Sequence, residues 1–105
     1  MTNYIKVKAA AGNINYIRID LDYSKGGYNY FTYKQEARGY YIHVSPVEKN
    51  GYTETYVGFS GIKACLLEVT RKSNKAEAEA MEIFQEVKDK YINYILEKNN
   101  LTLEV

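Results

Sequence analysis

The stretch YYIHVSPVEKNGYTETYVGF, Tyr40 to Phe59, decides the fold, because it reads as two β-strands joined by a tight turn. Apolar and polar side chains alternate on both sides of Asn50-Gly51, the strongest short hairpin signal, since both turn residues take a positive φ. A two-residue turn there predicts five pairs: Val44 with Val57, Ile42 with Phe59, Ser45 with Tyr56, His43 with Gly58, and Lys49 with Tyr52. The first two pairs face the core, and the other three face away from it.

Pro46 bears on the prediction for this hairpin, and Cys65 on that for the run that follows it. Pro46 cannot donate to a strand ladder, so its strand is either an edge or bulged near that point. After Ser60-Gly61, the run Lys63 to Thr70 alternates again and predicts a strand. Cys65 falls on the same face as Leu67 and Val69, which predicts a small core residue there.

The N-terminal segment predicts a second hairpin. Tyr4 to Ala9 and Tyr16 to Asp22 both alternate, around the turn signal Ala11-Gly12-Asn13. The inward residues are Ile5, Val7 and Ala9 on one strand and Ile17, Ile19 and Leu21 on the other. A three-residue loop places Val7 opposite Ile17 and Ile5 opposite Ile19, which keeps both apolar sets on one face.

Beyond Ser73 the period of the apolar residues changes from two to about four, which predicts one long helix over 74–98. Asn74 followed by Glu77 reads as a capping box, and the next Asn pair ends the segment at Asn99-Asn100. The predicted apolar stripe consists of Ala80, Phe84, Val87, Tyr91 and Ile95, widened by Met81, Ile83 and Ile92. Residues 99–105 alternate again and predict a short strand or tail that adds to a sheet edge, in this chain or in a partner.

The stretch KGGYNYFTYKQEARGYY, Lys25 to Tyr41, is unusually rich in tyrosine. Its glycines mark a loop with room for a short strand, Tyr28 to Tyr33, whose register the pattern does not fix. Whether the rings of Tyr28, Tyr30 and Tyr33 belong to a strand or to a loop therefore stays open.

Together these segments predict an α+β fold. We expect a single domain, residues 1–105, with an antiparallel sheet of about five strands within 1–72 and one long C-terminal helix packed across one face. A helix of 25 residues is about 37 Å long, enough to cover one face of such a sheet. The other face is left to water, a ligand or a partner.

Composition narrows the classes of function. The chain has 105 residues, a net charge of +1, one cysteine and no long apolar run, so we expect a globular protein of the cytoplasm without an internal disulfide or a membrane span. Residues 1–73 hold ten Lys or Arg against six Asp or Glu, whereas 74–98 hold four against six. The front of the chain is therefore mildly basic.

The chain is poor in the residues that catalysis needs. With one histidine and one cysteine, neither a zinc site nor a Cys-His or Ser-His-Asp arrangement can be assembled at a workable spacing. The alternation directs His43 away from the core and Cys65 into it, so the two do not meet. We expect no catalytic residues, no metal and no cofactor, and therefore no enzyme.

The face without the helix carries the candidate binding residues, which are basic or aromatic. They are Tyr4, Lys6, Lys8, Tyr16, Arg18, Tyr41, His43, Lys49, Tyr52 and Tyr56. Single-stranded nucleic acid uses such a surface, because bases stack on rings while cations neutralise phosphates; we expect Tyr41, Tyr52 and Tyr56 to stack and Lys6, Lys8, Arg18 and Lys49 to contact phosphate. A protein interface uses the same residue types, and tyrosine is also simply a good strand former.

Three segments resemble a group of small uncharacterised proteins encoded by phages, prophages and integrative or conjugative elements of gut and Gram-positive bacteria. They are Gly26–Thr32, Arg38–Val47 and Arg71–Lys75. The resemblance implies an accessory protein of a mobile genetic element that acts on nucleic acid or on host machinery. The leading hypothesis is a binder of single-stranded nucleic acid. The alternative is a protein-protein interaction module, such as a phage or plasmid inhibitor of a host defence system, or a self-associating scaffold, for example a homodimer or other homo-oligomer through a sheet edge or the C-terminal tail.

Overall fold

The structure, a computed structural model, describes residues 1–30, 33–56 and 61–104. Its elements in chain order are β1 (Thr2–Ala9), β2 (Tyr16–Ser24), β3 (Gly27–Asn29), β4 (Lys34–Glu36), β5 (Gly39–Asn50), β6 (Thr53–Tyr56), β7 (Ile62–Glu68), α1 (Asn74–Lys98) and β8 (Leu101–Leu103). Six strands form one antiparallel sheet, α1 lies across one face of it, and β3 and β4 form a separate pair. The predicted α+β fold is confirmed.

The long strand β5 is the centre of the sheet, whose order is β6-β5-β2-β1-β8. Along one edge of β5, β7 pairs with its first half and β6 with its second half. Val44 of β5 pairs with Ile62, and Val47 of β5 pairs with Tyr56. The partners Ile62 and Tyr56 lie farther apart in the sequence than the two β5 residues do. Strand β5 pairs on both sides, so it is not an edge strand, and Pro46 lies between the part of β5 that pairs with β7 and the part that pairs with β6.

The register of the N-terminal hairpin differs by two residues from the prediction. Ile5, not Val7, lies opposite Ile17. The reason is Asn15, whose side chain bonds the backbone of Lys49 in both directions at 2.8 Å, so that β2 begins only after it and the loop is longer than three residues. A shift of two residues preserves which side chains face the core.

The central hairpin is also shifted by two residues. Asn50 pairs with Thr53 and Lys49 with Glu54, so the turn residues are Gly51, with φ of 63°, and Tyr52. The predicted pairs of Lys49 with Tyr52 and of Ser45 with Tyr56 are therefore wrong. The other three predicted pairs involve residues 57–59, which lie outside the described residues, and β7 occupies that part of the edge of β5.

Strand β7 contains a β-bulge that reverses the prediction for Cys65. Tyr40 pairs with Leu67, whereas Tyr41 pairs with Cys65, so the register shifts by one residue between them. Leu67 therefore lies on the helix side with Tyr40, and Cys65 lies on the opposite side and is exposed. Placing Cys65 in the core was wrong because a bulge breaks the alternation on which the prediction rested.

Helix α1 has the predicted bounds, but its N-cap is one residue earlier. The Ser73 side chain accepts a hydrogen bond from the Ala76 backbone N–H at 3.1 Å, so Ser73 rather than Asn74 caps the helix. The fully buried helix residues are Ala80, Phe84, Ile92 and Ile95. Val87 and Tyr91 of the predicted stripe are only half-buried. After Lys98, β8 turns back and pairs with β1 of the same chain, so the tail adds to a sheet edge in cis.

The core lies between the helix and one face of the sheet. Its buried sheet residues are Val7, Ile17, Ile19, Leu21, Tyr40, Ile42, Val44 and Leu101. They pack against the buried face of α1, so alternate residues of the central strands face the core. In the described part of the chain, no helix is long and apolar enough to cross a membrane.

Candidate nucleic-acid interface

We call the side of the six-stranded sheet that faces away from α1 the open face. The pairings place nine of the ten candidate residues there: Tyr4, Lys6, Lys8, Tyr16, Arg18, Tyr41, His43, Lys49 and Tyr56. Tyr52 lies instead in the turn between β5 and β6 and is fully exposed. The strand alternation therefore predicts which candidates share this face, but it does not predict which side chains contact them.

Arg18 lies at the centre of a polar network on the open face. Its Nε donates to both oxygens of Asp20 at 3.2 and 3.0 Å, and its Nη1 donates to Glu54 at 3.1 Å. The Tyr4 hydroxyl reaches across two intervening strands and donates to the other Glu54 oxygen at 2.6 Å. The guanidinium is therefore shared by two carboxylates and is not available as an unpaired cation for phosphate.

The pKa shifts in this network follow from its hydrogen bonds. The hydrogen bonds from Tyr4 and from Arg18 lower the pKa of Glu54, with the Tyr4 bond the largest cause. The same bond to Glu54 raises the pKa of Tyr4, and the bond to Glu54 is also the main reason that the pKa of Arg18 is raised. Near neutral pH, the network thus holds a carboxylate, a neutral phenol and a guanidinium.

Most rings of the open face are occupied by neighbouring side chains. Lys49 Nζ lies 3.9 Å from the centroid of the Tyr4 ring, and Tyr4 meets Tyr16 edge-on at 6.1 Å. Tyr56 lies nearly parallel to His43, with 6.5 Å between the ring centroids. Tyr41 is buried and donates its hydroxyl to the Ala37 carbonyl at 2.6 Å, and burial, followed by the neighbouring Cys65, raises its pKa.

His43 is half-buried between charges of both signs. It lies opposite Asp20 of β2 and Lys63 of β7, and its Nε2 is hydrogen-bonded to Ser45 Oγ at 2.9 Å. Burial lowers its pKa, and this effect outweighs the attraction of Asp20 for the protonated ring. The imidazole is therefore a neutral packing group near neutral pH.

The open face carries carboxylates beside most of its cations. Besides the Arg18 network, Lys6 lies 3.5 Å from Glu104, and Lys63 lies 3.0 Å from Glu36. The face is consequently mixed in charge rather than basic. Strand alternation identified the cations, but it could not show that acidic residues from other strands lie next to them.

A second aromatic surface projects from the body of the protein. We call β3, β4 and the turn between them, residues 27–36, the arm; residues 31 and 32 lie outside the described residues. The backbone of its two strands comes within 8 Å (Cα to Cα) of no other described strand or helix. Tyr28 lies in β3, whereas Tyr30 follows β3 and Tyr33 precedes β4 in turn conformations, and these two rings are each 78% exposed. The question left open by the sequence is thereby answered: the arm carries these rings into solvent.

Arg38 anchors the base of the arm. Its Nε donates to the Lys25 carbonyl at 3.2 Å and its Nη1 to the Thr70 carbonyl at 2.9 Å, so it ties the two loops together. Gly26, at φ of 78°, allows the chain to pass close by, because an added Cβ would lie 2.8 Å from the Arg38 backbone nitrogen. A larger residue at Gly26 would push the base of the arm apart.

Exposed cations lie in or next to the two loops that Arg38 joins, and we call this set the basic end. It consists of Lys25, Arg38, Arg71, Lys72 and Lys75. Within the described residues, none of the five forms an ion pair. Asp22 and Glu77 line the shallow pocket beside Lys72, but the balance of the patch is positive. Alternation could not predict it, because all five residues lie outside the regular part of a strand.

Comparison with known proteins gave no match: no family model, no curated protein and no solved structure is similar to this chain. The resemblance to proteins of mobile elements therefore stays a prediction. Among the described residues, no group of three or more His, Cys, Asp or Glu side chains is arranged to hold a metal ion.

Proposed function

We propose that the protein binds single-stranded nucleic acid through the arm and the basic end, as an accessory protein of a mobile genetic element. The observation that carries this proposal is the pair of solvent-exposed rings at the arm tip, Tyr30 and Tyr33, on an arm whose base carries exposed cations without an ion-pair partner among the described residues. Bases stack on exposed rings and phosphates bind unpaired cations. The ligand class is the one expected from the sequence, but the surface is a different one.

The spacing of the two parts supports their joint use. The arm is three residue pairs long, which is about 10 Å at the rise of a β-strand. Its tip is therefore only a few nucleotides away from Lys25 and Arg38 at its base. A single strand can stack on the tip while its backbone continues toward the basic end. A rigid duplex keeps its bases stacked inside and cannot offer them to the rings.

The stacking part of the proposal is tested with two exposed tyrosines. Tyr30→Ala should weaken the binding of a fluorescently labelled mixed-sequence oligonucleotide roughly tenfold or more, because one base stack is worth about 1 to 3 kcal/mol. Tyr52→Ala is the matched control, since Tyr52 is also solvent-exposed but lies at the β5–β6 turn, and it should leave the affinity unchanged. Fluorescence anisotropy measures both. No binding at low salt, or equal losses in the two variants, would contradict the proposal.

The electrostatic part is tested by the salt dependence of the same binding. Each phosphate contact contributes about 0.7 to the slope of log affinity against log salt for a single strand. Lys25→Gln and Arg71→Gln should each reduce that slope, whereas Lys8→Gln, an exposed cation of the open face, should not. A slope that falls only in the Lys8 variant would move the site back to the open face.

A second candidate is self-association through β7. Among the described residues, this strand pairs only with β5, so its other edge carries backbone groups that another strand could pair with. In a self-associating scaffold, the strand that pairs with this edge would come from a second copy of the chain. Light scattering at several protein concentrations tests it: a monomer throughout would exclude this candidate and leave the nucleic-acid proposal intact.

A further inference from the structure

The inner side of the arm contains a cavity of about 320 Å³ next to its aromatic residues. Tyr28 and Tyr30 form one wall, with their ring centroids 4.9 Å apart and their planes nearly perpendicular. The glycine pair Gly26-Gly27 forms another and contributes no side chain. The space beside two rings is thus wide enough for a flat heterocycle.

One ionised group, Glu36, also lines this cavity. Its carboxylate accepts hydrogen bonds from the Asn29 amide at 2.6 Å and from Lys63 at 3.0 and 3.4 Å. These bonds lower the pKa of Glu36, with the Asn29 bond the largest cause. They also fix the carboxylate in place, with its side chain only 19% exposed.

The carboxylate still has acceptor capacity. An ionised carboxyl group offers about four acceptor positions, and three hydrogen bonds are made here. Oε2 has a single donor, Lys63, and therefore holds the spare position. A carboxylate that is held in place beside two aromatic rings, with one acceptor position still open, can accept a hydrogen bond from an N–H group of a bound ring but repels a carbonyl oxygen.

We propose that this cavity takes one base of the bound strand and that Glu36 selects a base that carries an exocyclic amino group. The inference rests on the proposed function. Adenine, guanine and cytosine each present such an amino group on the edge that is free in a single strand, and guanine and cytosine have close counterparts without it. Hypoxanthine keeps the ring N–H of guanine but lacks its amino group, and thymine replaces the amino group of cytosine with a carbonyl oxygen, which a carboxylate repels. The site would therefore discriminate by chemistry rather than by size.

The test uses thymine tracts that differ at one central position. The tracts carry guanine, hypoxanthine, cytosine or thymine at that position, and anisotropy gives the affinity of each. We expect the amino-bearing base to bind about tenfold more tightly than its counterpart within the guanine–hypoxanthine or the cytosine–thymine pair. Glu36→Gln should abolish the difference, because the amide can present an N–H group as well as an oxygen.

A second variant separates base selection from the structure of the arm. Lys63→Gln removes the Lys63–Glu36 ion pair but keeps the carboxylate and its 2.6 Å bond from Asn29, so the preference should persist. Equal affinities within both pairs, or a preference that survives Glu36→Gln, would overturn the inference. If the thymine tract itself binds and Tyr30→Ala weakens it, the proposed function stands even when the preference is absent. If no tract binds at low salt, the proposed function fails instead.

Discussion

At the scale of single residues, partners far apart in the sequence decide what each candidate side chain can do. Arg18 is placed on the open face by alternation, yet Asp20 and Glu54 occupy its guanidinium. Arg38 stands in solvent at a strand boundary, and its two bonds to backbone carbonyls leave its charge unpaired among the described residues. Both arginines hold elements together, but the charge of Arg18 is paired with carboxylates, whereas that of Arg38 is not paired among the described residues.

His43 gives a prediction for stability as a function of pH. Its pKa in the folded protein lies below the ordinary 6.5 because it is buried, so the unfolded chain binds the proton more tightly. The stabilising contribution of the neutral ring is complete above 6.5 and is lost as the pH falls from there through the folded pKa. We expect the free energy of unfolding to be lower at about pH 5.5 than at about pH 7.5, measured by urea titration.

The matched control for this prediction is His43→Gln, because the chain has one histidine. The lowered pKa values of Glu36 and Glu54 act below their ordinary 4.5, outside the tested range. The variant should therefore show a clearly smaller loss of stability over the same pH change. An equal loss in both proteins would mean that another group causes it.

At the scale of elements, the sequence predicts strands and the helix better than their registers. The alternation of Ile17, Ile19 and Leu21 identifies the buried side of β2, and all three are in the core. Both hairpins are nevertheless shifted by two residues, because Asn15 extends one loop and Gly51 begins the other turn. A shift of two residues leaves each face unchanged, so hydrophobic burial does not distinguish between the registers.

The start of α1 supplies a prediction at this scale. Ser73→Ala removes the side-chain acceptor of the Ala76 N–H and should lower the free energy of unfolding by about 1 kcal/mol. Asn74→Ala should change it by only a few tenths of that amount, because Asn74 lies inside the helix and is exposed. Urea unfolding of the two variants measures both effects. A larger loss of stability for Asn74→Ala than for Ser73→Ala would show that Asn74 caps the helix, as the sequence predicts.

At the scale of the whole molecule, the chain divides into a packed body and a projecting arm. The body buries the residues between α1 and the sheet, whereas the backbone of the arm approaches no other described element. The side-chain link between Lys63 and Glu36 connects the two across a cavity of about 440 Å³. We therefore expect the arm to open at a lower free-energy cost than the core.

Hydrogen exchange should show this division. Amides of β3 and β4 should exchange orders of magnitude faster than those of β2 and β5, because local opening of the arm costs much less free energy than unfolding of the core. Exchange followed by NMR measures both in one sample, and the amides of Ile42 and Val44 serve as the internal control. Equal protection in the arm and in β5 would show that they unfold together.

The sequence by itself determined the properties that depend on neighbouring residues. A period of two placed Ile17 and Ile42 in the core, and a period near 3.6 set the length of α1, since both follow from local backbone geometry. The tertiary structure alone decided which cations are paired, where Cys65 lies and how the arm is held. The bond between Tyr4 and Glu54 spans 50 positions of the chain and that between Arg38 and Thr70 spans 32. No local period encodes such contacts, because they depend on strand order and on a one-residue bulge.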